Sequence, residues 1–154
     1  PPDGNYDLIL YEATYTDPVT GDTVVLMDQI SILISQDGVV YYEVFDWGDD
    51  VPDANTNLDY TTLPPDCSQE CDNREIPITE LYVDPVTGIP TGILIDVDTA
   101  PDNLPPGDYN YVIIVSPSEE STDAAQVDSI VVDEVALPAA PVAPVAPAAP
   151  SAGS

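Results

Sequence analysis

Apolar side chains recur at every second position through most of the chain, and runs of this kind are short and punctuated. "YDLILYEATY" (6–15) is rich in aromatic and branched residues and holds no Gly or Pro. "TVVLMDQISILIS" (23–35) sets Val24, Leu26, Ile30, Ile32 and Ile34 on one face at period two. "VVYYEVFDW" (39–47) follows across "QDG" (36–38), which reads as a compact hairpin turn with positive φ at Asp37-Gly38. "IPITELYV" (76–83) and "GILIDV" (92–97) come next. "DYNYVIIVS" (108–116) alternates Tyr109, Tyr111, Ile113 and Val115 on one side, and "VDSIVVDEV" (127–135) ends the series. No stretch sustains a helical period; "SEESTDAAQ" (118–126) offers a single turn after Pro117. The pattern predicts an all-β, two-layer antiparallel β-sandwich of about seven strands over residues 1–136.

The connections carry their own signals. "YTDPVTGDT" (15–23) and "YVDPVTGIP" (82–90) share Asp-Pro-Val-Thr-Gly. Asp starts a turn, Pro presets φ and Gly accepts a left-handed conformation, so both copies are expected to be hairpin loops. Residues 137–154, "LPAAPVAPVAPAAPSAGS", place proline at every third position from 138 to 150. That is an extended Pro/Ala-rich tail of polyproline-II character with no core of its own.

Charge changes the functional picture more than the fold. Across 154 residues there are 29 carboxylates, one cation (Arg74), no Lys and no His, for a net charge of −28. Nucleic acid is excluded as a partner, since phosphate binding needs Lys or Arg. Attachment to an anionic membrane surface is disfavoured for the same reason, and no apolar run is long enough for membrane insertion. A chain that starts "PPDG" is expected to be a processed protein or an excised piece. Asp outnumbers Glu by 21 to 8, which puts the acidity in turns rather than helices.

The longest irregular stretch, 46–73, contains "VPDANTNLD" (51–59), with an oxygen-bearing side chain at every second position. Calcium takes six to eight oxygens in flexible geometry, and Asp49, Asp53, Asn55, Asn57 and Asp59 are candidate ligands. It is not an EF-hand: counting from Asp53, the sixth position is Leu58 rather than Gly and the twelfth is Pro64 rather than Glu. A second cluster, "DVDTAPDN" (96–103), offers Asp96, Asp98 and Asp102. A solvated acidic loop is the competing reading of both. Without His or Lys a Ser or Cys nucleophile has no ordinary base, so a non-enzymatic role is expected. Cys67 and Cys71, in "CSQEC", are expected to form a local disulfide and to imply an oxidising compartment. Trp47, at a strand end beside the acidic loop, is either a core cap or a platform for stacking on a glycan.

"LPPGDYNYVIIVS" (104–116) resembles the penultimate strand of immunoglobulin-like and fibronectin-III-like β-sandwich modules of extracellular surface proteins. The resemblance implies a corner bond from Tyr109 or Tyr111 to the backbone and an extracellular, cell-surface module without catalytic residues. The inter-sheet cysteine pair of antibody domains is missing. Three roles fit these features. The first is a subunit of a surface filament or pilus-like homopolymer joined by β-strand exchange, with 6–15 as donor strand and 127–135 as the second choice. The others are a calcium-stiffened adhesin module contacting neighbouring surface modules, and a carbohydrate-binding module using Trp47.

Overall fold

The structure is a computed structural model that describes residues 3–63, 70–116 and 126–136. The tail 137–154, Cys67 and most of segment 118–126 lie outside the described residues. Within them the chain is all-β, with β1 (Asn5–Glu12), β2 (Thr14–Thr16), β3 (Thr23–Met27), β4 (Ile30–Ser35), β5 (Tyr42–Trp47), β6 (Arg74–Pro77), β7 (Gly92–Ile95), β8 (Tyr111–Val115) and β9 (Val127–Ala136). Two 3-10 turns, Ile78–Glu80 and Val97–Thr99, are the only helical pieces among the described residues. The strands form three antiparallel sheets, ordered β7-β1-β9, β2-β3-β6 and β5-β4-β8.

Nine strands stand where about seven were expected, because two long apolar runs each serve two sheets. The 6–15 run breaks at Ala13, so β1 pairs with β7 and β9 while β2 pairs with β3. The 23–35 run breaks at Asp28-Gln29, so β3 pairs with β2 and β6 while β4 pairs with β5 and β8. The break also corrects the expected face. Val25 and Met27 are fully buried and Leu26 is not, and burial resumes at Ile30, Ile32 and Ile34. The odd step from Met27 to Ile30 reverses the parity, as happens where a strand bends from one sheet into another. The 76–83 run is likewise divided: β6 ends at Pro77, a 3-10 turn follows, and Tyr82 then bridges to Gly92.

One apolar core draws on all three sheets, with Leu8 and Leu10 from β1, Met27 from β3, Ile32 from β4, Phe45 from β5, Ile76 from β6 and Ile93 from β7. On the other face of β1, Ile9 and Tyr11 pack with Leu94 beneath Tyr82. A strand buried on both faces and bonded along both edges is central. Within one chain, β1 of segment 6–15, the first-choice donor strand, lies between β7 and β9.

Connections follow local side-chain chemistry. In both Asp-Pro-Val-Thr-Gly loops the Asp carboxylate accepts two N–H groups, from Val19 and Thr20 at Asp17 and from Val86 and Thr87 at Asp84. In both, the Gly N–H closes onto the Asp carbonyl at positive φ, with Gly21 at 79° and Gly88 at 75°. The first copy joins β2 to β3, and the second closes the Tyr82–Gly92 bridge. The β4–β5 connection is longer than a two-residue hairpin. Asp37 accepts from Val39 and Val40 and Ser35 Oγ accepts from Gly38, so β5 starts only at Tyr42, and only Gly38 takes positive φ.

Core coverage fails at two outer strands. Val112 and Ile114 lie across from Ile34 and Ile32 and so share their face. Ile32 is fully buried, yet both β8 residues are 44% exposed. Val132 of β9 lies across from buried Leu8 and is 78% exposed.

Candidate functional site

The segment after β5 folds back as a cover rather than standing out as a solvated loop. Thr56 forms a β-bridge with Ile95, and the N–H of Asp96 donates to the Asn55 carbonyl, so residues 55–57 extend the sheet beyond β7. Asn55 is 5% exposed, and its Nδ2 donates to the carbonyls of Val44 (2.9 Å) and Asp96 (3.1 Å), tying β5 to the end of β7. Asn57 Oδ1 accepts from the N–H of Leu94 at 2.6 Å. Leu58 and Leu63 enter the core.

Trp47 anchors the same cover. It is fully buried, donates Nε1–H to the Cys71 carbonyl (3.1 Å) and stacks on Tyr60 at 6.0 Å between ring centroids. A ring with no exposed surface offers no platform for a sugar, so the glycan-stacking expectation gives way to the core-cap reading. Tyr60 Oη donates to Glu70 Oε1 at 2.6 Å, and burial pushes the Tyr60 hydroxyl far above its usual range, helped by that carboxylate. Cys71 is in a disulfide, while Cys67 lies outside the described residues.

Neither of the two expected ligand sets, the five in the loop and the three at 96–102, lines either of the two cavities described below in full. Asp59 accepts from the N–H and hydroxyl of Thr61 on the exposed surface, and those bonds hold its carboxyl below the usual carboxylate range. Asp96 is spent on the following 3-10 turn, accepting from the N–H of Asp98 and the hydroxyl of Thr99. Asp98 accepts from the N–H of Asp3, and Asp102 from the N–H of Glu43 on β5. Asn57 is a strand latch. In each case one oxygen that suits a cation accepts a backbone N–H.

Asp49, Asp53 and Asn55 do come together, with partners that sequence reasoning missed. They line a cavity of about 270 Å³ with Glu43 and Asp46 of β5, beside Thr99 and Pro101. Glu43 and Asp46 are an odd number of residues apart and would face opposite ways on a regular strand. A bulge between the Glu43–Leu33 and Phe45–Ile32 pairs inserts Val44 and brings both carboxylates to one face. No period-two reading could find that, although two carboxylates flanking a buried Val-Phe pair are its trace.

The cavity is strongly electronegative. Burial pushes Asp53 up to about 7, opposed by the N–H of Asp46 and reinforced by Glu70, Asp46 and Asp49. Glu43 is raised by burial, then by Asp46, Asp102 and Asp49. A wider cavity of about 620 Å³ lies beside Asp7, Asp98, Asp102 and Asp108. At its rim Tyr109 donates its hydroxyl to the Pro105 carbonyl at 2.7 Å, so of the two candidate tyrosines Tyr109 makes the backbone bond. No protein-family model, no curated protein and no solved structure matches this chain.

Proposed function

We propose that this chain is a non-enzymatic structural module of the extracellular surface, an immunoglobulin-like β-sandwich whose copies associate through the open edge of β8. The observation that carries the reading is β8 itself. "YVIIV" bears no charge, no Pro and no Gly, every residue is between 38% and 49% exposed, and among the described residues it is bonded only to β4. Soluble proteins protect such edges with charge, bulges or cover, because an open apolar edge templates pairing with another chain. Among the described residues nothing pairs with this edge.

The candidate partner edges differ in charge, which shapes the assembly. β9 is another outer strand with uncovered apolar residues, Val131 and Val132, and it carries Asp128, Asp133 and Glu134. Pairing β9 with β9 would oppose like charges, whereas β8 of one copy can receive β9 of the next without that penalty. Such a contact joins two different surfaces, so it propagates as an open filament unless its rotation closes a ring. The absence of His and Lys from the sequence and the burial of Trp47 favour this role over catalysis and over sugar binding.

The test is sedimentation velocity at several protein concentrations in salt high enough to screen the charge, with Ile113→Lys as comparison. Species larger than a dimer, lost in the variant, are expected. A wild-type chain that stays monomeric, or stops at a closed dimer, overturns the filament.

A further inference from the structure

We propose that the cavity beside β5 is a calcium site coordinated by Glu43, Asp46, Asp49, Asp53 and Asn55. The loop alone does not make this site; it pairs the bulged strand with the returning loop. Several carboxylate oxygens there are already engaged: Asp46 Oδ1 accepts from Ser31 Oγ, Asp49 Oδ1 from the N–H of Val51, and Asp53 Oδ2 from the N–H of Asp46. The second oxygen of each, together with the whole Glu43 carboxylate, makes no hydrogen bond among the described residues. These bonds orient the carboxylates without exhausting them.

Asn55 supplies the independent sign of a ligand. Its Nδ2 is spent on Val44 and Asp96, and its Oδ1 is buried with no hydrogen-bond partner, on a residue that lines the cavity. A buried, unpaired amide oxygen is costly, and a cation would remove that cost. Glu43, Asp46 Oδ2, Asp49 Oδ2, Asp53 Oδ1 and Asn55 Oδ1 together offer about the six oxygens that calcium needs at minimum. The burial that raises Asp53 is what an ion would offset.

The identity of the ion follows from the geometry. No three carboxylates among the described residues already converge at metal-ligand spacing. The site therefore closes by rotation of Glu43 and Asp49, which are partly buried and exposed, around the fixed Asp53 and Asn55. Calcium tolerates such adaptable, irregular coordination, whereas magnesium demands a near-ideal octahedron and sheds its waters reluctantly. The ion would lock the returning loop onto β5, which serves a calcium-stiffened module as well as a filament subunit.

Isothermal titration with calcium chloride at about 150 mM sodium chloride separates a site from diffuse screening. The Ile113→Lys background tests it apart from assembly. One saturable binding event is expected, with Glu43→Gln/Asp49→Asn weakening it about tenfold or more. Asp22→Asn/Glu134→Gln, which removes the same charge from exposed positions elsewhere, should leave it unchanged. No saturable heat, or equal affinity in all three proteins, overturns the site.

Discussion

At the scale of single residues, the surface aspartates and the buried carboxyls behave in opposite ways. Asp17, Asp37 and Asp84 sit on the surface, each accepting backbone N–H groups two and three residues on, and each is held below the usual carboxylate range by those bonds. Glu12 has less of this support, a single backbone N–H from Ala13. It is buried at the end of β1, its Oε2 has no hydrogen-bond partner, and burial with Asp28 and Asp128 nearby pushes it up to about 8. A carboxyl raised above its unfolded value of 4.5 favours the folded state only while protonated. Its contribution is complete below about 4.5 and is lost as pH rises through about 8; that of Asp53 is lost through about 7. Ordinary carboxylates have finished ionising by about pH 6, so they cannot account for changes above it. Thermal unfolding should therefore show Tm falling between about pH 6 and 8.5, with Glu12→Gln removing the upper part of the slope. A flat Tm over that range, or an unchanged slope in the variant, would contradict this account of Glu12.

At the scale of elements, what was legible in the sequence was whatever depends on near neighbours. Both Asp-Pro-Val-Thr-Gly loops fold as their residues dictate, and most of the strands fall inside the alternating runs. The breaks at Ala13 and at Asp28-Gln29 were hidden, because apolar residues continue across them and only the parity changes. The candidate site was half legible for a related reason. Asp49, Asp53 and Asn55 stood out by composition, whereas Glu43 and Asp46 reach the cavity only through the bulge at Val44. Asn55 and Asn57 were read as loop ligands, yet both latch strands, since an amide side chain mimics a peptide at a sheet edge. Asn55→Ala leaves the Val44 and Asp96 carbonyls without that donor, at about 1–3 kcal/mol for each buried group left unpaired. Asp59→Ala removes only an exposed turn bond and should stay within about 0.5 kcal/mol. Urea denaturation should show a clear loss of midpoint for the first and almost none for the second. Equal effects would mean that residues 55–57 do not brace the sheet.

For the molecule as a whole, a charge of −28 opposes both compaction and contact between copies. With only one basic residue in the chain, relief must come from the solvent. Screening shortens from about 30 Å at 0.01 M salt to about 3 Å at 1 M, so the same apolar core and edge operate against very different repulsion. Folding and assembly should both strengthen as sodium chloride rises, but through different parts of the structure. Folding gains from relief of repulsion within one chain, which does not involve β8. Assembly gains from relief between chains, and needs the β8 edge to convert proximity into pairing. Ile113 is on the face of β8 opposite the core-facing Val112 and Ile114, so lysine there leaves the core intact while charging the edge. Wild type and Ile113→Lys should therefore show parallel rises in Tm with salt, while only the wild type gains sedimenting mass. If the variant assembles as readily, the salt is acting through another surface and β8 is not the junction. If neither protein gains Tm, self-repulsion is not what limits this fold.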